Sequence, residues 1–499
     1  MLRARAWALV GVGWSLCFGT GGVRCYGADW PTFQADNARS GYSAQTLGEP
    51  FRIRWRWRQA PIAGRAQPVI AGGRVFLGGL DGRLYAIDAR SGATLWRFPT
   101  DGPILSSAAV SHGRVIVGTA SGSLYAVDAA SGRRLWRFRA LGRGGFWAAP
   151  AVAGDLVLLG SRDKRFYAVD LRTGRQRWSF TARGWIVTPA AVGLGRVYFA
   201  AEDEMAAYCL RLADGRRAWR RPLPGQTFRD SWPVLNQAAR RVIFTSMPSW
   251  PFHYNLREAD NSVFGFTVGA GWALERKAIL DYLSRWPTRQ TVFCLDAATG
   301  RPTQTLPLLW SGGSGGPPTP PVLRPDGQGF VIFRSTAGIQ NPPRNETVHV
   351  TSLWNSDLGL LDLATNDIRS LDSEEHAVGY HLISDETSTL SLAGRNLIVA
   401  SWPEVGGIDT ASGHMFTACI PSDDENLVGS GVNKASGVPR ILQPGAPRPG
   451  RFAADAGGSA PAPVADGVLY WVWDQTLVVI EGTPAAKEGG TWRVRTATP

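Results

Sequence analysis

Lysine is nearly absent from this chain of 499 residues: it stands only at Lys164, Lys277, Lys434 and Lys487, against 53 basic residues in all. Charge is sparse overall, at 19%, while hydrophobic residues reach 44%. A chain with this much apolar material can bury a large core, which excludes intrinsic disorder. No segment approaches the roughly 18 uninterrupted apolar residues of a membrane-spanning helix, so no transmembrane segment is expected. CxxC and CxxCH do not occur, which excludes a thiol-redox motif and covalently attached haem. Cys17 and Cys25 fall near the N-terminus, leaving Cys209, Cys294 and Cys419, an odd number that excludes a complete disulfide framework. GxSxG, HExxH and Walker sequences supply no site. Coiled coils and helical bundles are excluded by what is abundant instead: 59 glycines and 33 prolines, which interrupt helices.

The formal net charge is +13. An anionic partner, such as an envelope polymer, is one consequence of that excess. Nucleic acid is not expected, because the arginines are scattered singly rather than gathered on one element. Arg52, Arg54, Arg56 and Arg58 alternate with Phe51, Ile53, Trp55 and Trp57, the pattern of a strand with one wet and one dry face. At the N-terminus, Arg3 and Arg5 precede an apolar stretch from Ala6 to Phe18 and a small-residue stretch ending at Gly27. That order is the pattern of a secretory signal peptide over residues 1–27. Neither Cys17 nor Cys25 follows a small residue, so a lipid-anchoring site is not expected. The remainder, 28–499, is expected to be exported to the periplasm or outside the cell.

The strongest feature is an internal repeat. Gly82-Arg-Leu-Tyr-Ala-Ile-Asp-Ala-Arg-Ser-Gly92-Ala-Thr-Leu-Trp96 aligns without gaps with 122–136 and 164–178, and a worn copy runs from Tyr208 through Gly215 to Trp219. The tyrosines Tyr85, Tyr125, Tyr167 and Tyr208 are 40, 42 and 41 residues apart. Each unit reads as strand, tight turn (Asp81-Gly82, Ser121-Gly122, Asp163-Lys164), returning strand, a second turn opened by aspartate and closed by glycine, and an outer strand carrying tryptophan. Four strands in about 40 residues is the period of a propeller blade. One such sheet cannot cover both of its faces, so neighbouring blades must do so. Trp96, Trp136, Trp178 and Trp219 are therefore expected to wedge blade against blade. Asp88, Asp128 and Asp170, with Gly92, Gly132 and Gly174, are expected to be turn devices.

The pattern G-x-L-Y-A-x-D-x-x-[ST]-G-x-x-x-W resembles the PQQ-type propeller repeat, found in quinoprotein alcohol dehydrogenases and in the outer-membrane assembly factor BamB. The resemblance implies an all-β propeller of eight four-stranded antiparallel blades, or seven. Degraded copies follow at Phe293–Gly300, Leu360–Asn366, Gly407–Gly413 and from Asp466 to Trp492. The segment from Asp29-Trp30-Pro31 to Arg39-Ser40-Gly41 resembles the lead-in of exported members, and Phe51–Arg58 is expected to complete the last blade and close the ring.

Residues 247–288 break the period. Within them Gly271–Trp286 has helical spacing, with Leu274, Ile279, Leu280, Leu283 and Trp286 apolar, so a helical insertion capping one face is expected. Glu374, Glu375, His376, His381 and Asp385 form the one His/carboxylate cluster, matching no metal motif. Alcohol-oxidising members of the resembled family use PQQ, calcium, an aspartate base and usually adjacent cysteines. This chain has no Cys-Cys pair; Cys209 and Cys294 fall at the small position held by Ala86, Ala126 and Ala168. The expectation is therefore a monomeric binding or scaffold module without cofactor, engaging a protein or an envelope polymer. The alternative is a PQQ- or metal-dependent oxidoreductase of the quinoprotein type.

Overall fold

The computed structural model describes residues 29–64, 66–142, 144–223, 226–228, 231–248, 277, 280–281, 283–306, 320–334, 356–362, 367–370, 389–400, 405–411, 415–419, 460–473 and 475–482. The expected export signal at 1–27, most of the expected 247–288 insertion and the cluster Glu374, Glu375, His376, His381 and Asp385 lie outside them.

The repeat folds as the spacing requires. Val69–Ala71, Arg74–Gly78, Arg83–Asp88 and Thr94–Pro99 pair in that order as one antiparallel sheet. The same meander recurs over 109–139, 151–181, 191–222, 234–305 and 322–370. A further sheet joins Val464–Ala465, Val468–Trp473 and Thr476–Glu481 to Arg52–Trp57 from the far end of the chain. These seven sheets have four strands each. The sheet over 389–419 has five, because Tyr42–Ser43 adds in parallel to the edge of Thr389–Ala393. The expectation of eight four-stranded blades is therefore not met: an inner edge that elsewhere stays outside the ladder is here taken by the lead-in. Helix is also scarcer than expected. Among the described residues of the insertion it is confined to 277, 280–281 and 283–285, followed by a single 3₁₀ turn, Pro287–Arg289. The insertion itself replaces the tight turn between Arg241–Thr245 and Val292–Asp296.

Side chains alternate along each strand, so each sheet feeds two cores. Phe76, Leu84 and Ala86 pack with Val115, Val117, Tyr125 and Val127 of the following sheet. Ile116, Leu124 and Ala126, on the other face of that sheet, pack with Val157, Leu159, Tyr167 and Val169. The ring closes in the same way, as Val75, Leu77, Tyr85 and Ile87 pack against Val468, Tyr470, Val472, Leu477 and Val479.

In the outer strands that carry a repeat tryptophan, a bulge lies just before it. Ala86 pairs with Trp96 but Ile87 pairs with Thr94, and the slip recurs at Trp136, Trp178 and Trp219. A bulge increases local twist, and here the indole it carries reaches the neighbouring sheet. The Trp96 indole N–H donates to Ala129 O (3.2 Å), Trp136 to Leu171 O (2.8 Å), Trp178 to Leu212 O (3.1 Å) and Trp219 to Ala297 O (3.1 Å). Beneath each indole lies the turn glycine of that neighbour: Gly132 under Trp96, Gly174 under Trp136, Gly215 under Trp178 and Gly300 under Trp219. Gly174 shows why only glycine serves. Its φ is +73°, and a Cβ there would stand 2.8 Å from the Trp136 ring. Trp55 makes the same contact from the closing strand, donating to Ala89 O at 3.1 Å over Gly92.

Replacing Trp136 by alanine removes a buried indole and its hydrogen bond, and should cost ~3–5 kcal/mol in denaturant unfolding. Gly174→Ala should also destabilise, through both strain and overlap. If Trp136→Ala unfolds at the wild-type denaturant midpoint, the wedge is not a structural determinant.

Candidate functional site

The axis of the ring is occupied by the chain's own lead-in. The first strand of each sheet is the innermost, and successive ones lie side by side. Residues 30–43 run along their free edges and bond to one sheet after another. Trp30 and Ile70 exchange backbone hydrogen bonds of 2.8 and 2.9 Å. The N–H groups of Val110, Val192, Leu235, Leu323 and Leu392 donate to the carbonyls of Pro31, Asn37, Ala38, Ser40 and Gly41, at 2.6–2.9 Å. Asn37 Nδ2 donates to Val152 O at 2.6 Å. The sheet at 464–481 is reached through Gln67, whose Oε1 accepts from the Trp30 indole and the Gln34 N–H and whose Nε2 donates to Pro461 O.

Two side chains fill the centre. Phe33 contacts Ala149, Trp232, Val234 and Leu323, residues of three different sheets, and meets the Trp232 ring edge-on at 4.8 Å. Arg39 is fully buried. Its Nε donates to Ala190 O (2.8 Å), its Nη2 to Pro150 O (3.2 Å), and its Nη1 to Phe33 O (2.8 Å) and Thr32 Oγ1 (3.0 Å). Burial lowers the guanidinium pKa to about 10, partly offset by the charge of Asp36. Satisfied donors are what make such a buried cation tolerable.

The repeat residues are placed as turn and wedge. Asp128 Oδ1 accepts from the Ala130 and Ser131 N–H groups and the Ser131 hydroxyl, and Asp88, Asp170 and Asp296 repeat the device. Hydrogen bonds from Ser131, Thr173 and Thr299 hold Asp128, Asp170 and Asp296 below the usual carboxylate range. At Asp88 partial burial works the other way and is outweighed by Ser91. These carboxylates are spread over separate sheets, so they form no common site.

A second set of acids escaped the sequence reading. Asp81, Asp163 and Glu204 each accept from the hydroxyl of the repeat tyrosine four residues on, Tyr85, Tyr167 and Tyr208. The i, i+4 spacing was visible in the sequence, but the second copy breaks it with Ser121. There Asp101 serves instead, taking Ser123, Arg137 and Arg139.

PQQ is a polyanionic quinone that works with calcium, and the described residues do not fit that pair. Phe33 and Arg39 fill the axis. No group of three or more His, Cys, Asp and Glu among the described residues is arranged to hold a metal ion. Cys209 and Cys294 sit in different sheets at the register of Ala86; burial pushes the Cys209 thiol up to about 12 and raises that of Cys294. Both are therefore protonated and unreactive at neutral pH.

Residues 52–145 and 120–245 match a family model described as outer membrane protein assembly factor BamB. Over residues 52–245 the chain is similar to the PQQ-like β-propeller repeat. Among solved structures it is similar to a quinohemoprotein alcohol dehydrogenase from Comamonas testosteroni, with TM-score 0.56 and 13% identity over 94% of this chain and 83% of that one. A quinohemoprotein alcohol dehydrogenase from Pseudomonas putida HK5 gives TM-score 0.54 and 13% identity over 95% and 83%. A europium-containing methanol dehydrogenase gives 0.52 and 12% over 78% and 84%. At these identities the likeness is one of fold. No curated protein matches the sequence. Among the described residues no helix is long and apolar enough to cross a membrane.

Arg39→Met should leave the Ala190, Pro150 and Phe33 carbonyls short of a donor and cost about 3 kcal/mol. Limited proteolysis should then cut within 29–47 faster than in the wild type; an unchanged rate would show that Arg39 does not pin the segment. The turn aspartates make a separate prediction for acid. Their folded pKa values lie below the unfolded ones, so the stability they contribute is present above the ordinary carboxylate pKa of about 3.9 and is lost as pH falls below it. Asp128→Asn should flatten that acid limb in thermal melts at pH 2–5.

Proposed function

We infer that the protein is a binding or scaffold propeller of the PQQ-like type, acting in the cell envelope or outside the cell. Residues 28–499 form its single propeller unit, and residues 1–27 are its export signal. The observation that carries this reading is the occupied axis. The place where a ring of sheets offers a small molecule an enclosed site is filled by Phe33, Arg39 and the backbone of the lead-in. A rigid ring with a filled centre has its outer surfaces left for recognition, and rings of this kind present loops on a stable frame. The alternative, a PQQ-dependent oxidoreductase, has fold likeness behind it, but the described residues supply neither the paired thiols nor the acidic ligand set.

Titrating the purified protein with PQQ and calcium separates the two. The expected result is no stoichiometric uptake, with calorimetry and PQQ absorbance unchanged by the protein, and no dye-linked alcohol oxidation. Tight one-to-one binding with turnover would overturn the scaffold reading.

A further inference from the structure

The two faces of the ring differ in charge. In each repeat sheet the hairpin between the first two strands and the turn opened by aspartate lie at one end. Ala129, Leu171, Leu212 and Ala297 in those turns donate their N–H groups to the hairpin carbonyls of Gly113, Asp155, Gly195 and Arg240. The wedges tie turn to turn between sheets, so these ends make up one face. Arg83–Asp88, Ser123–Asp128, Arg165–Asp170 and Ala206–Arg211 are each six residues long, so the turns finish at one level. Each wedge glycine from Gly132 to Gly300 is followed by an exposed arginine: Arg133, Arg175, Arg216 and Arg301. Arg134, Arg172 and Arg217 are exposed beside them and form no ion pair among the described residues. Acids are fewer. The 109–139 sheet sets Asp128 against Arg114, Arg133 and Arg134, and the 234–305 sheet sets Asp296 against Arg240, Arg241 and Arg301. In the 191–222 sheet Asp214 stands alone against Arg196, Arg211, Arg216 and Arg217. The 151–181 sheet is nearest to balance, with Asp155 and Asp170 against Arg172, Arg175 and Arg177. Farther round the charges pair off, Arg395 with Asp409, and Arg52 and Arg54 with Glu481, while Asp29 at the hub is held by the Gly72 N–H. On the opposite face Asp81, Asp101, Asp163, Glu202, Asp203 and Glu204 offset the basic residues of the tight turns. Within the basic crescent, Leu194 stands at the tip of the hairpin joining Ala191–Gly193 to Arg196–Ala201. It is 36% exposed, with a φ of +52°, a left-handed value that leucine rarely takes. The tips stand clear of the ring: a Cβ on Gly72, Gly113, Gly154 or Gly195 would meet nothing within 4 Å.

We propose that this crescent docks on an anionic lipid surface, its arginines on headgroup phosphates and Leu194 entering the acyl boundary beneath them. The proposal rests on the binding-module reading and names its face and partner. Guanidiniums gathered without matching acids repel one another, and a negative surface relieves that cost. Their planar forks bind phosphate oxygens through two parallel hydrogen bonds. Turns that end at one level present these groups as a plane, which is the shape of a headgroup layer. A dissolved polyanion would use the charge alone. An exposed leucine held in a strained turn at the foremost point of the face calls for an apolar medium as well. A bilayer supplies it just below the phosphates. No helix among the described residues is long and apolar enough to cross a membrane, so the attachment is peripheral for this part of the chain.

The test is co-sedimentation of residues 28–499, which contain every described residue, with vesicles of one-third phosphatidylglycerol in phosphatidylcholine. Binding is expected to these vesicles and not to pure phosphatidylcholine, weakening as salt screens the charges. The variant Arg133→Gln/Arg134→Gln/Arg216→Gln/Arg217→Gln should lower partitioning roughly a hundredfold while melting like the wild type, since all four side chains are exposed. A matched variant on the opposite face, Arg83→Gln/Lys164→Gln/Arg165→Gln/Arg183→Gln, should lower it severalfold at most. Leu194→Asn suits the left-handed turn better. It should melt at or above the wild-type temperature, yet bind vesicles severalfold more weakly with unchanged salt dependence. No preference for the anionic vesicles, or equal losses from the two fourfold variants, overturns the proposal. Undiminished vesicle binding by Leu194→Asn overturns the lipid assignment; dextran sulfate capture equally sensitive to the first fourfold variant then places a polyanion on this face. Each of these leaves the module reading standing, because that reading falls only with stoichiometric PQQ uptake.

Discussion

Each four-stranded sheet in this chain is too small to be dry on its own, and the contact that solves the problem is an indole laid on the neighbour's turn glycine. It joins three requirements in one place. The bulge turns the tryptophan outward, the missing Cβ admits the ring, and the indole N–H finds a carbonyl whose position depends on the neighbouring turn being correctly formed. Burying an indole stabilises by roughly 2–3 kcal/mol, and the contact also fixes the angle between successive sheets. Where the tryptophan is lost, as at Gln304, the bulge of that outer strand persists, while the Gly300 turn of the same sheet still receives Trp219.

Much of this was legible in the repeat. The spacing of Tyr85, Tyr125 and Tyr167 announced the sheets, Asp88 and Gly92 announced the second turn, and the alternation from Arg52 to Trp57 announced a strand. That this strand would close the ring came from family likeness. The bulge was not legible, because it is set by pairing between strands and leaves no mark in either strand's pattern. Nor was the role of Phe33 and Arg39. A lone arginine in a turn-rich segment looks solvated until the chain is known to pass through the middle of the ring, and only then does its full burial make sense. The five-stranded sheet was missed for the same reason, since Tyr42–Ser43 joins it only because the lead-in passes there.

The two arginine populations of the molecule illustrate how context decides a charge. Arg39 has carbonyls and a hydroxyl in place of a carboxylate, and its cost is offset by hydrogen bonds from all three guanidinium nitrogens. Arg137, Arg139 and Arg220 rest on Asp101 and Glu204 near the tight turns. Both acids are held low in pKa, their hydrogen bonds and guanidinium partners outweighing burial. The insertion between Thr245 and Val292 departs from the same turn end.

Threading the lead-in through the hub sets an order of events for a chain made from its N-terminus. Residues 30–43 emerge first, yet their hydrogen-bonding partners extend to Leu392, and the strand at 52–57 must wait for Thr476–Glu481. Its first partners, Gln67, Ile70 and Val110, follow soon, but the last arrive only with Leu392, so the hub stays incomplete until late in synthesis. Contacts of such long sequence separation form slowly. The molecule is thus assembled like a barrel whose first stave is also its bung: its centre can be sealed only after the final sheet has arrived, and a truncated product lacks both its seam and its core.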